Sequence, residues 1–267
     1  MAERALDTLV EEAAAGPADT DELLARLHEA GRRLAESRRD AGAVAGAIGR
    51  VLAAAHGQRH LSADELRHVV TEEARAICDA RRRAAYAIAI QLAPRLADAE
   101  VMTHSASATV REALQHTPPK RVICTVSRPR EEGRTFADEL REAGLEVELV
   151  EDEEAAAALE RVALLLLGAD TVYRDGTLIN KVGTYPLAKA AHELGVAVAV
   201  ALEVLKLSPH GSAEARDLAE DGTRDFTPPE LIGQLVTEEG VFEPDDVAAL
   251  IDRTPFLREG YELLRSA

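Results

Sequence analysis

Beyond about residue 97 the chain alternates short apolar runs with helical stretches, and this alternation restricts its fold more than any other feature. The runs are Val101-Met102-Thr103, Val122-Ile123-Cys124-Thr125-Val126, Val147-Glu148-Leu149-Val150, Val162 to Leu167, Val196 to Leu202 and Leu235-Val236-Thr237. Between them Ala108–His116, Thr135–Ala143, Ala155–Arg161 and Leu187–Leu194 have helical character. Strands separated by helices need crossover connections, which imply a mainly parallel sheet. Tyr173-Arg174-Asp175-Gly176-Thr177 sets an Asp-Gly turn between two β-like runs, so a small hairpin is expected there.

The first hundred residues lack such runs. Asp19-Thr20-Asp21-Glu22 marks a helix start, and Leu23, Leu24, Leu27 and Ala30 then fall on one face. Ala43, Ala47, Ile48, Val51 and Leu52 repeat the pattern after Gly42. Ser62 with Glu65 three residues on forms a capping-box pair, and Val69 to Leu92 continue the helix toward Pro94. The expected organisation is a helical domain over residues 1–97 followed by an α/β domain over 98–267.

Charge narrows the function. The 267 residues carry 31 basic and 48 acidic side chains, a net charge of −17, which argues against a nucleic-acid backbone binder. Aromatic residues are only 3% and Trp is absent, so base stacking has little to work with. The basic residues divide into 27 arginines and four lysines: Lys120, Lys181, Lys189 and Lys206. High acid with little lysine suits either a high-salt cytoplasm, as in a halophile, or an ordinary acidic protein of a GC-rich genome. No apolar run is long enough to span a membrane, and the charged N-terminus is no signal peptide. Two cysteines, Cys78 and Cys124, make neither a disulfide framework nor a zinc spacing, so a cytoplasmic, reducing setting is expected. No metal and no cofactor are expected. His56 and His60 have no third ligand, and no Walker lysine or GxGxxG motif follows a strand.

Ligands of open α/β sheets sit beyond the carboxyl ends of strands, where helix N-termini present free N–H groups. Thr103-His104-Ser105-Ala106-Ser107-Ala108-Thr109 offers small residues and hydroxyls at such a place, suited to an anion; simple N-capping by Ser105 or Ser107 is the plainer reading. Arg128 and Arg130 follow the second strand, where guanidinium groups can fork onto phosphate or merely lie solvated. Asp170 ends the Leu-rich fourth strand, where a general acid or base would sit. Asn180 and Lys181 interrupt a β-like run, Gly183-Thr184 opens the next helix, and Lys206 lies at another strand end. Cys124, within a strand, is expected to be a buried core thiol.

Residues 101–242 resemble the superfamily that joins the alpha, beta and delta subunits of translation initiation factor 2B to methylthioribose-1-phosphate and ribose-1,5-bisphosphate isomerases. The resemblance rests on Gly168-Ala169-Asp170, Asp175-Gly176 and Ile179-Asn180-Lys181-Val182-Gly183-Thr184, with support from Thr103-His104, Ser127-Arg128-Pro129, Lys206-Leu207-Ser208-Pro209 and Phe226-Thr227-Pro228-Pro229-Glu230. It implies a helical domain followed by a Rossmann-like domain, and a homo-dimer or larger assembly. It also implies Asp170 as an acid/base group. The isomerases carry Cys then Asn directly after Thr-His, whereas here those positions are Ser105 and Ala106, and their N-terminal Arg-Gly-Ala segment is missing.

Two readings follow. In the first, the chain is an initiation factor 2B-like regulatory protein that binds a phosphorylated sugar or nucleoside monophosphate and a protein partner, such as the translation initiation machinery. Its ligand residues would be His104, Ser105, Ser107, Arg128, Asn180, Lys181, Gly183, Thr184 and Lys206. In the alternative it is a ribose-1,5-bisphosphate-type aldose–ketose isomerase, with Asp170 catalytic and Ser105 at the cysteine position.

Overall fold

The computed structural model describes residues 1–265. Four helices come first: α1 (Ala2–Ala14), α2 (Thr20–Glu36), α3 (Gly42–Gly57) and α4 (Ala63–Leu96). The expected caps set two of their starts. Asp19 accepts a hydrogen bond from the Glu22 N–H, and Ser62 and Glu65 exchange both bonds of a capping box. One face of each helix feeds a shared core that includes Leu6, Leu9, Leu23, Leu27, Ile48, Leu52, Leu66 and Val70.

The chain continues through β1 (Glu100–Thr103), α5 (Ala108–His116), β2 (Arg121–Thr125), α6 (Glu132–Glu142), β3 (Val147–Val150), α7 (Ala155–Ala158) and β4 (Leu164–Leu167). Then follow β5 (Thr171–Tyr173), β6 (Leu178–Lys181), α8 (Thr184–Leu194), β7 (Ala197–Ala201), β8 (Leu207–Ser208) and β9 (Arg224–Thr227). The last elements are β10 (Gln234–Thr237), β11 (Gly240–Phe242), α9 (Val247–Asp252) and α10 (Pro255–Arg265). All six expected strand runs are strands. The helix expected over Ala155–Arg161 is instead one α-turn between two 3-10 turns, because Leu159 turns into the core and Val162 leads straight to β4.

Seven strands form a Rossmann-like sheet in the order β11-β10-β7-β4-β1-β2-β3, parallel except for β11. The chain runs outward from β1 through β2 to β3, then returns to β4 and runs the other way. Connections therefore diverge between the neighbours β1 and β4, which opens a crevice beyond their carboxyl ends. A second sheet, β8-β5-β6-β9, lies outside the first and was not foreseen. Its β5–β6 hairpin does turn at Asp175-Gly176, where Gly176 has φ +78° and donates its N–H to the Tyr173 carbonyl at 2.8 Å. The C-terminal helix α10 returns to pack on α3.

Candidate active site

The crevice between the ends of β1 and β4 holds a cavity of about 410 Å³, within the size range of small-molecule sites. Its lining brings together seven of the residues singled out from the sequence: His104, Ser105, Ser107, Asp170, Asn180, Lys181 and Lys206. They arrive from four places in the chain: the β1–α5 loop, the end of β4, strand β6 and the turn before β8. Arg81, Arg130 and Arg224 join them, so five cations line the cavity against three carboxylates, Glu132, Asp170 and Glu203. Among the described residues Arg130 makes no hydrogen bond or ion pair, and its exposed guanidinium stands at the rim.

His104 is a buried strut. Its Nε2 lies 2.8 Å from the Val182 carbonyl, which can only accept, so Nε2 carries the hydrogen. Nδ1 is then left to accept from the Thr125 hydroxyl at 2.6 Å. Burial lowers the imidazole pKa, which keeps this ring neutral. Gly183, at φ +102°, passes so close that a Cβ there would meet the His104 ring at 2.8 Å. The loop after β6 is thereby fixed against the end of β1. Asn180 reinforces it by donating to the Thr184 hydroxyl, which itself donates to the Lys181 carbonyl.

Ser105 has a left-handed backbone, φ +65°, uncommon for a residue with a side chain. Its N–H donates to the Ser127 hydroxyl at 2.7 Å, and its Oγ donates to Glu132 Oε1 at 2.9 Å. Lys181 Nζ reaches both oxygens of Glu132, at 2.7 and 2.8 Å, from a side chain only 8% exposed. Burial works against the Glu132 charge, but the bonds from Lys181 and Ser105 outweigh it and hold the carboxyl below its ordinary range.

Asp170 faces the opposite balance. Burial raises its pKa more than Arg224 lowers it, although Arg224 Nε lies 2.9 Å from the carboxylate. The same guanidinium pairs on its other side with Asp40 from the α2–α3 loop, which Arg38 holds in turn. A charge chain thus runs from the helical layer into the cavity. Lys206 donates to the Ala169 carbonyl at 2.8 Å, and burial pulls its ammonium below its usual pKa. Arg81 of α4 grips Glu203 through two hydrogen bonds, at 2.6 and 3.2 Å.

Three expected ligand residues lie elsewhere. Arg128 points away from the cavity, because the β3–α7 segment offers its guanidinium carboxylates: Glu151 at 2.6 Å and Glu153 at 3.5 Å. Gly183 and Thr184 do open α8, but that helix N-terminus is already filled. Asp225 Oδ2 accepts from the N–H groups of Gly183 and Tyr185, at 2.8 and 3.1 Å. Ser107, in contrast, lines the cavity while also capping α5 through the Val110 N–H. Cys124 is buried in β2 and its thiol is pushed up to about 12, which removes it from chemistry. Arg81, Glu132, Glu203 and Arg224 carry little signal in the sequence, where only the crowding of Arg81-Arg82-Arg83 and Glu131-Glu132 before Gly133 hints at the first two. Among the described residues no helix is long and apolar enough to cross a membrane.

Residues 1–244 match the model of the initiation factor 2 subunit family. A ribose 1,5-bisphosphate isomerase of Haloferax volcanii is 33% identical, over 94% of this chain and 84% of that protein. A translation initiation factor eIF-2B subunit 2-like protein of Pyrococcus abyssi is 35% identical, over 54% of this chain and 58% of its own length. Among solved structures, the tetrameric eIF2B beta2-delta2 complex of C. thermophilum superposes with a TM-score of 0.83 at 24% identity, covering 94% of this chain and 88% of that one. The 5-methylthioribose 1-phosphate isomerase of Pyrococcus horikoshii gives 0.72 at 22%, over 98% and 82%. The two structures share the fold described above. The match across residues 1–244 shows that the chain belongs to the initiation factor 2 subunit family.

Proposed function

We propose that the chain is a sugar-phosphate isomerase that converts a ribose phosphate, foremost ribose 1,5-bisphosphate, to its ketose. The observation that carries this reading is the cation-rich cavity at the β1–β4 crevice, into which Asp170 projects with its carboxyl pKa raised. Phosphate groups match a lining of Arg81, Arg130, Lys181, Lys206 and Arg224, with Ser107 beside them at the start of α5. A carboxyl that keeps its proton more readily than usual suits a group that first gives a proton to a sugar oxygen and later takes one. The similarity to the Haloferax volcanii isomerase over 94% of this chain supports the same reading.

Ser105 favours a second reading. It stands where the resembling isomerases carry a cysteine, so the cavity would bind a phosphorylated sugar or nucleoside monophosphate without turnover. The chain would then serve an initiation factor 2B-like regulatory role, as a homo-dimer or larger assembly with a protein partner.

One experiment separates the two. Purified protein is incubated with 13C-labelled ribose 1,5-bisphosphate at low and high salt, and NMR follows the ketone carbon of ribulose 1,5-bisphosphate. Turnover supports the isomerase. A thermal shift by phosphorylated sugars without turnover supports the binding role, and neither signal would remove both.

A further inference from the structure

An isomerase built on this cavity needs a proton-transfer group besides Asp170, one that takes hydrogen from C2 of the sugar and returns it to C1. A hydroxyl is weak in that role unless a base activates it. We infer that the Glu132 carboxylate is the catalytic base of this cavity and that Ser105 and Lys181 are its positioning residues. The inference rests on the isomerase reading above.

Three observations place Glu132 there. It lines the same cavity as Asp170. It is the first residue of α6, and that helix begins against the end of β2 only because residue 133 is glycine: a Cβ at Gly133 would lie 1.8 Å from the Thr125 carbonyl oxygen. Its carboxylate is oriented from two sides, by the Ser105 hydroxyl on Oε1 and by Lys181 on both oxygens. Together with the residue's own backbone N–H, these bonds hold the carboxylate in one place at the cavity wall. Lys181 also keeps the group ionised, the form a base requires.

The proton count closes. Glu132 takes the C2 proton, and the C2–H electron pair becomes the C1–C2 double bond as the C1–O4 bond breaks. The ring oxygen leaves with the proton of Asp170. Glu132 then returns its proton to C1 while Asp170 takes the O2 hydroxyl proton and the C2 ketone forms. Both carboxyls end as they began, and the ketose is an isomer of the starting sugar.

The test compares Glu132→Gln with Ser105→Ala, using ribose 1,5-bisphosphate as substrate. Glu132→Gln is expected to lower kcat by about 10³-fold with KM changed less than about threefold, as for loss of a general base. Ser105→Ala keeps the carboxylate and its lysine, so its kcat should fall by less than about tenfold. Exchange of the C2 hydrogen with solvent deuterium should stop in Glu132→Gln and persist in Ser105→Ala. Formate should restore part of the activity of Glu132→Ala, which a structural role would not allow. If Glu132→Gln fails to fold, Glu132→Asp keeps the charge that Lys181 faces, and its shortened carboxylate should still cost at least about tenfold in kcat. A wild type that turns over while Glu132→Gln stays within tenfold of it overturns this assignment alone. So does a Ser105→Ala variant as damaged as Glu132→Gln, with no formate rescue. A wild type that does not turn over removes the isomerase reading and this one with it.

Discussion

Arg128 and Arg224 both stand near the strand ends, yet they live in different electrostatic worlds. Arg128 is 44% exposed, on a rim crowded with Glu131, Glu151 and Glu153. Arg224 is 16% exposed and wedged between Asp40 and Asp170, with cations around it in the cavity. The rim belongs to the acidic exterior that gives the chain its net charge of −17, while the cavity reverses the sign locally. Solvated pairs such as that of Arg128 contribute little, since water screens them and long side chains lose freedom. Enclosed pairs set protonation states, because each charge there feels the others through poorly screened surroundings.

The contrast can be broken from its strongest side first. Arg224→Leu leaves Asp40 and Asp170 facing each other without their shared cation, and should destabilise the fold by about 3–5 kcal/mol in denaturant titration. A loss under 1 kcal/mol would mean that the charge chain into the helical layer is ornamental. Asp170→Asn should cut turnover by about 10²–10³-fold while ribose 1,5-bisphosphate still binds within a few-fold of the wild type; equal turnover would remove Asp170 from the chemistry.

Asp225 shows the effect of enclosure through pH. Burial pushes its carboxyl from 3.8 up to about 6, against the pull of the Gly183 and Tyr185 N–H groups. Between those values the folded state holds a proton that the unfolded chain has released, so stability falls as pH rises from about 4 to 6. The change amounts to at most about 3 kcal/mol, and Asp225→Asn should flatten it in thermal melts taken across that range. A slope that survives the substitution would assign it to another group. The smallest effect belongs to the rim: Arg128→Gln should leave both the thermal melt and sugar-phosphate binding unchanged, since water screens its ion pairs.

The sheet was legible because its strands are short apolar runs at regular spacing, and Leu164–Leu167 is buried along its whole length. The hairpin was legible because Asp175-Gly176 supplies the turn chemistry. The second sheet was not: β8 is two residues long, and β9 begins with Arg224 and Asp225, which carry no apolar signal. Lys181 and Lys206 stood out by rarity, and Asp170 and Ser105 by their places at strand ends. Arg224 and Arg81 did not, being two arginines among 27 whose partners lie 54 and 122 residues away in the chain. That Gly183 and Thr184 stand outside the cavity lining has the same root. A helix N-terminus invites an anion, but the sequence does not say that Asp225 will be the one to arrive.

Under the proposed function phosphate is recognised in the cavity and not on the arginine-rich exterior. Calorimetric titration of ribose 1,5-bisphosphate into Asp170→Asn, alone and combined with Lys181→Gln or Arg128→Gln, separates the two places. Saturable one-to-one binding is expected, weakened at least about tenfold by Lys181→Gln, as for loss of a charged hydrogen bond, and untouched by Arg128→Gln. Binding that ignores Lys181 and follows Arg128 would contradict it.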